Sequence, residues 1–177
     1  MDSRGTGWGL RQMPDEPAEK NAWDRWAGGI DCPMCRPRPK SNAYWDFVAR
    51  LNISSLYLSK NQTYRGHSLL ILDVRHATRP DHVSFDEWAL FCADLYAAEK
   101  ALMQTLQPDH INVEMMGNVV PHLHWQIVPR YRSDPRWGAP VWTTTRNEMT
   151  VTALPQADQI DLIRKVRNAT NKEALPD

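Results

Sequence analysis

A chain of 177 residues, 42% of them hydrophobic, is long enough for one domain with a proper core, and 21 basic residues balance 21 acidic ones. That balance leaves no broad basic footprint for a nucleic-acid polymer, although a mononucleotide needs only a few well-placed donors. No apolar run approaches membrane-spanning length, the N-terminal stretch is polar rather than signal-like, and three cysteines, an odd number, fit a cytoplasmic protein better than a disulfide-stapled secreted one.

Residues 1–21 mix glycine, proline and charge without periodicity, which reads as a flexible arm ahead of a single domain over 22–177. Trp8 in that arm is a candidate for packing on the body or on a partner subunit. Trp23 and Trp26, at i and i+3, predict a short helical turn before Gly28 and Gly29. A proline-rich turn follows over 31–40 and holds Cys32 and Cys35. Residues 47–59 read as strand material, with Leu56 and Leu58 alternating with Tyr57. Tyr64-Arg65-Gly66-His67 marks a turn, and 68–74 a second, strongly apolar strand.

The clearest helix begins at Ser84, which forms a capping box with Glu87, and Asp86 adds negative charge to the first turn. Phe85, Trp88, Cys92, Leu95, Leu102 and Leu106 recur at helical spacing until Pro108 ends the run. Residues 110–116 predict a third strand leading into another over 121–130. Residues 149–154 look like a further strand and 156–169 a closing amphipathic helix. The expected class is α+β, an antiparallel sheet of about five strands with helices packed on it.

The run Pro121-His122-Leu123-His124-Trp125-Gln126-Ile127-Val128-Pro129-Arg130 carries the chemistry. Its alternation is that of a half-buried strand, so His122, His124 and Gln126 share one face and Leu123, Trp125 and Ile127 the other. An imidazole so placed can be fixed through one ring nitrogen while the other presents its lone pair to an electrophile.

This run, with Gly117-Asn118-Val119-Val120 before it, resembles the signature of the histidine-triad superfamily of nucleotide hydrolases and transferases. The resemblance extends over about residues 32–142. The hydrolases carry His-x-His-x-His. Gln126 in the third position is the pattern of the branch that includes uridylyltransferases and dinucleoside polyphosphate phosphorylases. The resemblance implies that His124 attacks the α-phosphorus of a nucleotide and forms a nucleotidyl-histidine intermediate. It implies phosphate donors at Gln126, Asn118 and the Gly117 amide, and at Asn112, although the loop from Asn112 to His122 is one residue shorter than in the common pattern. It places the base and ribose against 56–61 and 69–72. Ser59 lies at the usual offset for the ribose contact, and Asn61 is the better chemical match. A homodimer is implied in the same way.

Cys32-Pro33-Met34-Cys35 alone is compatible with redox chemistry, a metal or neither, and a proline-rich turn is a poor match for a redox pair. Thiolates and imidazoles in a tetrahedral arrangement suit zinc. The resemblance supplies the other ligands, His76 and His122, and makes the site structural. His67 reads as a packing or hydrogen-bonding residue, His82 and His110 as loop residues, and Cys92 as a helix-core thiol. The run 134–142, with Arg136 and its tryptophans, is either a border of the leaving-group side or a loop anchored by buried aromatics.

Glutamine does not titrate, so a site lacking the third imidazole favours an anionic acceptor over water. Transfer of a nucleoside monophosphate is therefore the leading expectation. The alternatives are hydrolysis of the same substrates, as in compact bacterial triad proteins, and nucleotide binding with little turnover.

Overall fold

The computed structural model describes residues 17–35, 37–134, 137–143 and 152–173. In chain order the elements are α1 (Pro17–Ala27), β1 (Trp45–Arg50), β2 (Ser54–Ser59), β3 (Ser68–Leu72), α2 (Phe85–Leu106), β4 (His110–Glu114), β5 (His124–Arg130) and α3 (Gln156–Glu173). The five strands form one antiparallel sheet in the order β1-β2-β3-β5-β4. Among the described residues no helix is long and apolar enough to cross a membrane.

The α+β class and the five-stranded antiparallel sheet match the sequence expectation, but the strands are partitioned differently. The single stretch over 47–59 is a hairpin, because the chain reverses at Leu51, whose N–H bonds the carbonyl of Ser54. Of the strand expected over 149–154, residues 149–151 lie outside the described residues and 152–154 are not in a strand. The helical turn around Trp23 and Trp26 belongs to the longer α1. Trp8 and Arg136 lie outside the described residues.

Alternation sorts the sheet into two faces. Leu56, Leu58, Leu70, Leu72, Leu123 and Ile127 face α2 and α3 and make the main core, with Trp125 packed against Trp88 and Phe91. Tyr57, Leu69 and Ile71 face the other way and are covered by Met34, Trp45 and Phe47. The Cys32–Cys35 turn is clamped onto this second face by Arg38. Its guanidinium donates to the Met34 carbonyl, to the Tyr57 hydroxyl at 3.2 Å and to Asp73.

The capping box of α2 forms as its sequence implies, with Ser84 Oγ accepting from Glu87 N–H at 3.2 Å and Glu87 accepting from Ser84 N–H at 2.8 Å. Halfway along the helix, Asp94 is fully buried. Its two carboxylate oxygens accept from Asn52 N–H (3.1 Å), Asn52 Nδ2 (2.7 Å), Ile53 N–H (3.0 Å) and Ser54 Oγ (2.6 Å). A helix side chain thus satisfies the backbone of the β1–β2 turn that the sheet itself leaves unpaired. The turn before β3 depends on Gly66, whose φ of +87° disfavours any side chain and where an added Cβ would meet the Leu106 side chain and crowd Pro129.

Removing the Asp94 acceptor strands several buried donors at once, and each costs on the order of 1–3 kcal/mol. Asp94→Ala is expected to lower unfolding free energy by about 3 kcal/mol or more in denaturant titration, and Asp94→Asn by less. An unchanged midpoint for Asp94→Ala would contradict the anchoring role.

Candidate functional site

β5 opens three residues later than the signature run suggests. Pro121 has no N–H, and the His122 N–H turns back to the Val120 carbonyl at 2.8 Å, so regular pairing begins at His124. His124 then lies opposite Ile71 and Gln126 opposite Leu69, on the sheet face away from the helices, as the alternation requires. His122 sits beside that face and is 2% exposed.

Two polar groups fix the central residues. The Nδ1–H of His124 donates to the main-chain carbonyl of His122 at 2.6 Å. Among the described residues its Nε2 has no hydrogen-bond partner. Burial lowers the pKa of His124 against the opposing pull of that hydrogen bond, so the ring is held neutral with a lone pair on Nε2. Gln126 is oriented from the β3 side by His67, whose Nε2 lies 2.7 Å from the amide oxygen. With that oxygen engaged, the NH2 of Gln126 is the group left to donate. His67 is itself wedged between Trp45 and Trp142, with ring centroids at 5.4 and 6.4 Å, and burial lowers its pKa. The sequence marked His67 as a hydrogen-bonding residue of the turn but gave no sign of its partner, which lies across the sheet.

Beside this row, Cys32, Cys35, His76 and His122 converge, with one ligand atom of each lying within 4.8 Å of all the others. Cys32 Sγ is 3.5 Å from His122 Nδ1, Cys35 Sγ is 3.7 Å from the same nitrogen, and Cys35 Sγ is 3.4 Å from His76 Nδ1. A tetrahedral zinc-sized ion, with bonds of about 2.3 Å to sulfur and about 2.0 Å to nitrogen, holds neighbouring donors roughly 3.4–3.8 Å apart. The donor set fits such an ion. Each imidazole also has its outer nitrogen anchored: Nε2–H of His122 donates to the Leu72 carbonyl at 2.9 Å, and that of His76 to the Ala27 carbonyl at 3.2 Å. Both Nδ1 atoms are thereby left as acceptors toward the centre. Burial pushes His122 down to about 4, which keeps it neutral, as a ligand must be. The Cys35 thiol is pushed up to about 11 by burial and by Cys32 alongside, a cost that a divalent cation between the two would reverse. The cysteines are not bonded to each other.

The other sequence candidates are placed less centrally. Asn118 is exposed in the β4–β5 connection, and Gly117 in the same loop packs near the Thr78 carbonyl. Asn112 is on β4 opposite Val128, two residues along the strand from the Gln126 row. The Asn61 amide oxygen accepts from Thr63 N–H (3.1 Å) and Oγ1 (2.8 Å), while Ser59 Oγ accepts from Asn61 N–H at 3.1 Å. Both residues hold the β2–β3 connection together. In the run after the signature, Arg130 is buried, donates to Asp134 at 3.1 Å and to the Ala139 carbonyl at 3.0 Å, and stacks over Tyr64. Trp142 packs with Tyr64, Val128 and Val141, so the aromatic anchors this loop.

Comparison with known proteins bears on the fold and the family. No curated protein matches the chain. Among solved structures, histidine triad protein blr8122 from Bradyrhizobium japonicum is 23% identical, with a TM-score of 0.65 over 71% of this chain and 90% of its own. A histidine triad protein from Marinobacter aquaeolei VT8 is 20% identical, with a TM-score of 0.66 over 75% and 93%. A zinc-bound histidine triad family protein from Mycobacterium smegmatis is 18% identical, with a TM-score of 0.50 over 71% and 84%. The family model of the HIT domain matches residues 40–133, more than half of the chain, and the protein belongs to the HIT, or histidine-triad, family.

Proposed function

We propose that this protein transfers a nucleoside monophosphate through a covalent bond to His124, taking it from a dinucleoside polyphosphate or nucleotide conjugate. The observation that carries this reading is the His124 ring, tied at Nδ1 and open at Nε2, on the same face as the donor amide of Gln126. As Nε2 bonds to phosphorus the ring becomes cationic. The His122 carbonyl then accepts a stronger hydrogen bond from Nδ1–H, in a buried setting where such a contact counts for more. The NH2 of Gln126, held by His67, faces the charge growing on the phosphoryl oxygens. Because glutamine cannot move a proton, an anionic acceptor is favoured over water. The compartment we infer from the cysteine usage is the cytoplasm, and the assembly, on family resemblance, is a homodimer.

The cluster of Cys32, Cys35, His76 and His122 would hold zinc as a closed, structural site, in keeping with the zinc-bound relative. When bound, the ion supplies a cross-link and a charge that deprotonates the thiols. Two thiolates balance its charge, so the centre does not oppose the positive ring forming on His124.

His124→Ala is expected to abolish turnover while nucleotide binding survives, and acid-quenched wild type should carry a nucleotidyl adduct on this residue. Turnover at the wild-type rate in His124→Ala would sink the mechanism. Assays with and without inorganic phosphate separate transfer from hydrolysis, and saturable binding without turnover would identify a binding protein.

Elemental analysis of protein purified without chelator should find about one zinc per chain. Cys32→Ser should lower thermal stability more than it perturbs phosphate chemistry. Absence of metal, with both cysteines freely alkylated in the folded protein, would remove the site. Gln126→His is expected to raise hydrolysis relative to transfer, since imidazole moves protons at neutral pH. An unchanged product ratio would reduce Gln126 to a phosphate contact.

A further inference from the structure

The pairing of β4 with β5 places Glu114 opposite Gln126 and Asn112 opposite Val128. Residues opposite one another in an antiparallel pair project to the same face, with Cβ atoms about 4.5–5.5 Å apart. Gln126 is therefore flanked on one side by His67, at the head of β3, and on the other by Glu114. Asn112, the residue that sequence resemblance nominated here, lies two positions along the strand, roughly 7 Å farther on.

Glu114 is half-buried, and among the described residues its carboxyl makes no hydrogen bond or ion pair. Burial raises its pKa, with Arg130 on β5 pulling back. Asp73 is held by Arg38, Asp94 by the β1–β2 turn and Asp134 by Arg130. Glu99 on α2 is also part-buried without a hydrogen bond or ion pair among the described residues, but α2 packs on the sheet face opposite the triad row. An ionised carboxylate beside the triad row would repel phosphoryl oxygens, whereas a protonated one donates to them. The position suits a carboxyl that carries a proton when substrate arrives.

We propose that Glu114 is the proton-transfer residue of this site. The inference rests on the nucleotidyl-histidine reading. In the first half-reaction the bond from phosphorus to the leaving oxygen breaks as the bond to His124 Nε2 forms, and the Glu114 proton passes to the departing oxygen. In the second, the acceptor oxygen bonds to phosphorus and the nitrogen–phosphorus bond breaks. Glu114 then takes the proton of a phosphate acceptor, which is more acidic than that of water and so keeps the anionic acceptor favoured, and returns to its starting state. One residue serves as acid and then as base, a task Gln126 cannot perform. His67 is engaged with the Gln126 oxygen, and the Nδ1 proton of His124 with a carbonyl.

The test compares two AMP esters with different needs for a proton. Phenolate is a poor leaving group and gains from protonation, whereas p-nitrophenolate departs without it. Glu114→Gln keeps size and hydrogen-bonding capacity but removes the titrating group. In the first turnover, read as the burst of phenol release before the nucleotidyl-histidine breaks down, it is expected to slow the phenyl ester by about 10²-fold and the p-nitrophenyl ester by no more than about threefold, with Glu114→Asp recovering part of the loss. Equal slowing of both esters would show a positioning or binding role, and no slowing of either would show a bystander; each overturns the proposal. Acid-quench labelling tells the two readings apart. A nucleotidyl adduct on His124 in wild type, with Glu114→Gln treating both esters alike, defeats the Glu114 assignment alone. Turnover by His124→Ala defeats the covalent reading itself, and a wild type that cleaves neither ester and labels no histidine defeats both.

Discussion

The candidate site depends on the peptide carbonyl of His122. That oxygen accepts the Nδ1–H of His124 at 2.6 Å, while the side chain of the same residue reaches into the cysteine–histidine cluster. One residue thus has its ring in one structure and its backbone in the other. The ring is pinned at both nitrogens, by Leu72 on one side and the cysteines on the other, so the plane of the following peptide has little freedom. A carbonyl that cannot swing is a better positioning group than a side chain with its own rotamers, because no entropy is lost in aiming it. The cluster need not touch a substrate to matter for the chemistry next door.

Much of this was readable from residue order, because period and punctuation are local. The alternation across residues 121–130 assigned the two faces correctly, and Leu123 and Ile127 lie in the core while Gln126 lies opposite. The capping box at Ser84 and Glu87 gave the start of α2 to within one residue. What escaped depends on which strands lie side by side. The register that sets Glu114 against Gln126, and the sheet order that brings His67 within 2.7 Å of the same side chain, arise from tertiary pairing. Asn112 and Glu114 share a face of β4, but one face has several registers, and family resemblance named the amide alone. The break within 47–59 escaped for a related reason. The helix side chain that stabilises the turn, Asp94, is some 40 residues away in the chain.

Two buried carboxylates do for the scaffold what backbone pairing cannot. Asp94 ties the middle of α2 to the β1–β2 turn, and so fixes the helix layer to the edge of the sheet farthest from β5. Asp73 pairs with Arg38 and accepts from Ser55 Oγ at 2.6 Å, both partners of the ion pair being almost wholly buried. Breaking such a pair by removing one member typically costs about 3–5 kcal/mol, because the other charge is left unpaired. Asp73 lies just beyond β3, so the turn carrying Cys32 and Cys35 is held to the strand end that also supplies the Leu72 carbonyl to His122. The cluster is therefore framed by an ion pair as well as by its own side chains.

The strand order has a kinetic meaning. β5 lies between β3 and β4, and both are its antiparallel partners, yet it is the last of the five in the chain. β1, β2 and β3 can pair as they emerge, each with its neighbour in sequence, whereas β4 has no strand to pair with until β5 is made. The long α2 crossover must hold β4 one strand's width away from β3 and leave a slot for the segment that carries His124 and Gln126. Long-range insertion of this kind is a slow step in sheet assembly. The groups that would do chemistry are thus the last to be assembled, and a chain interrupted before β5 can hold much of its core and none of its triad row.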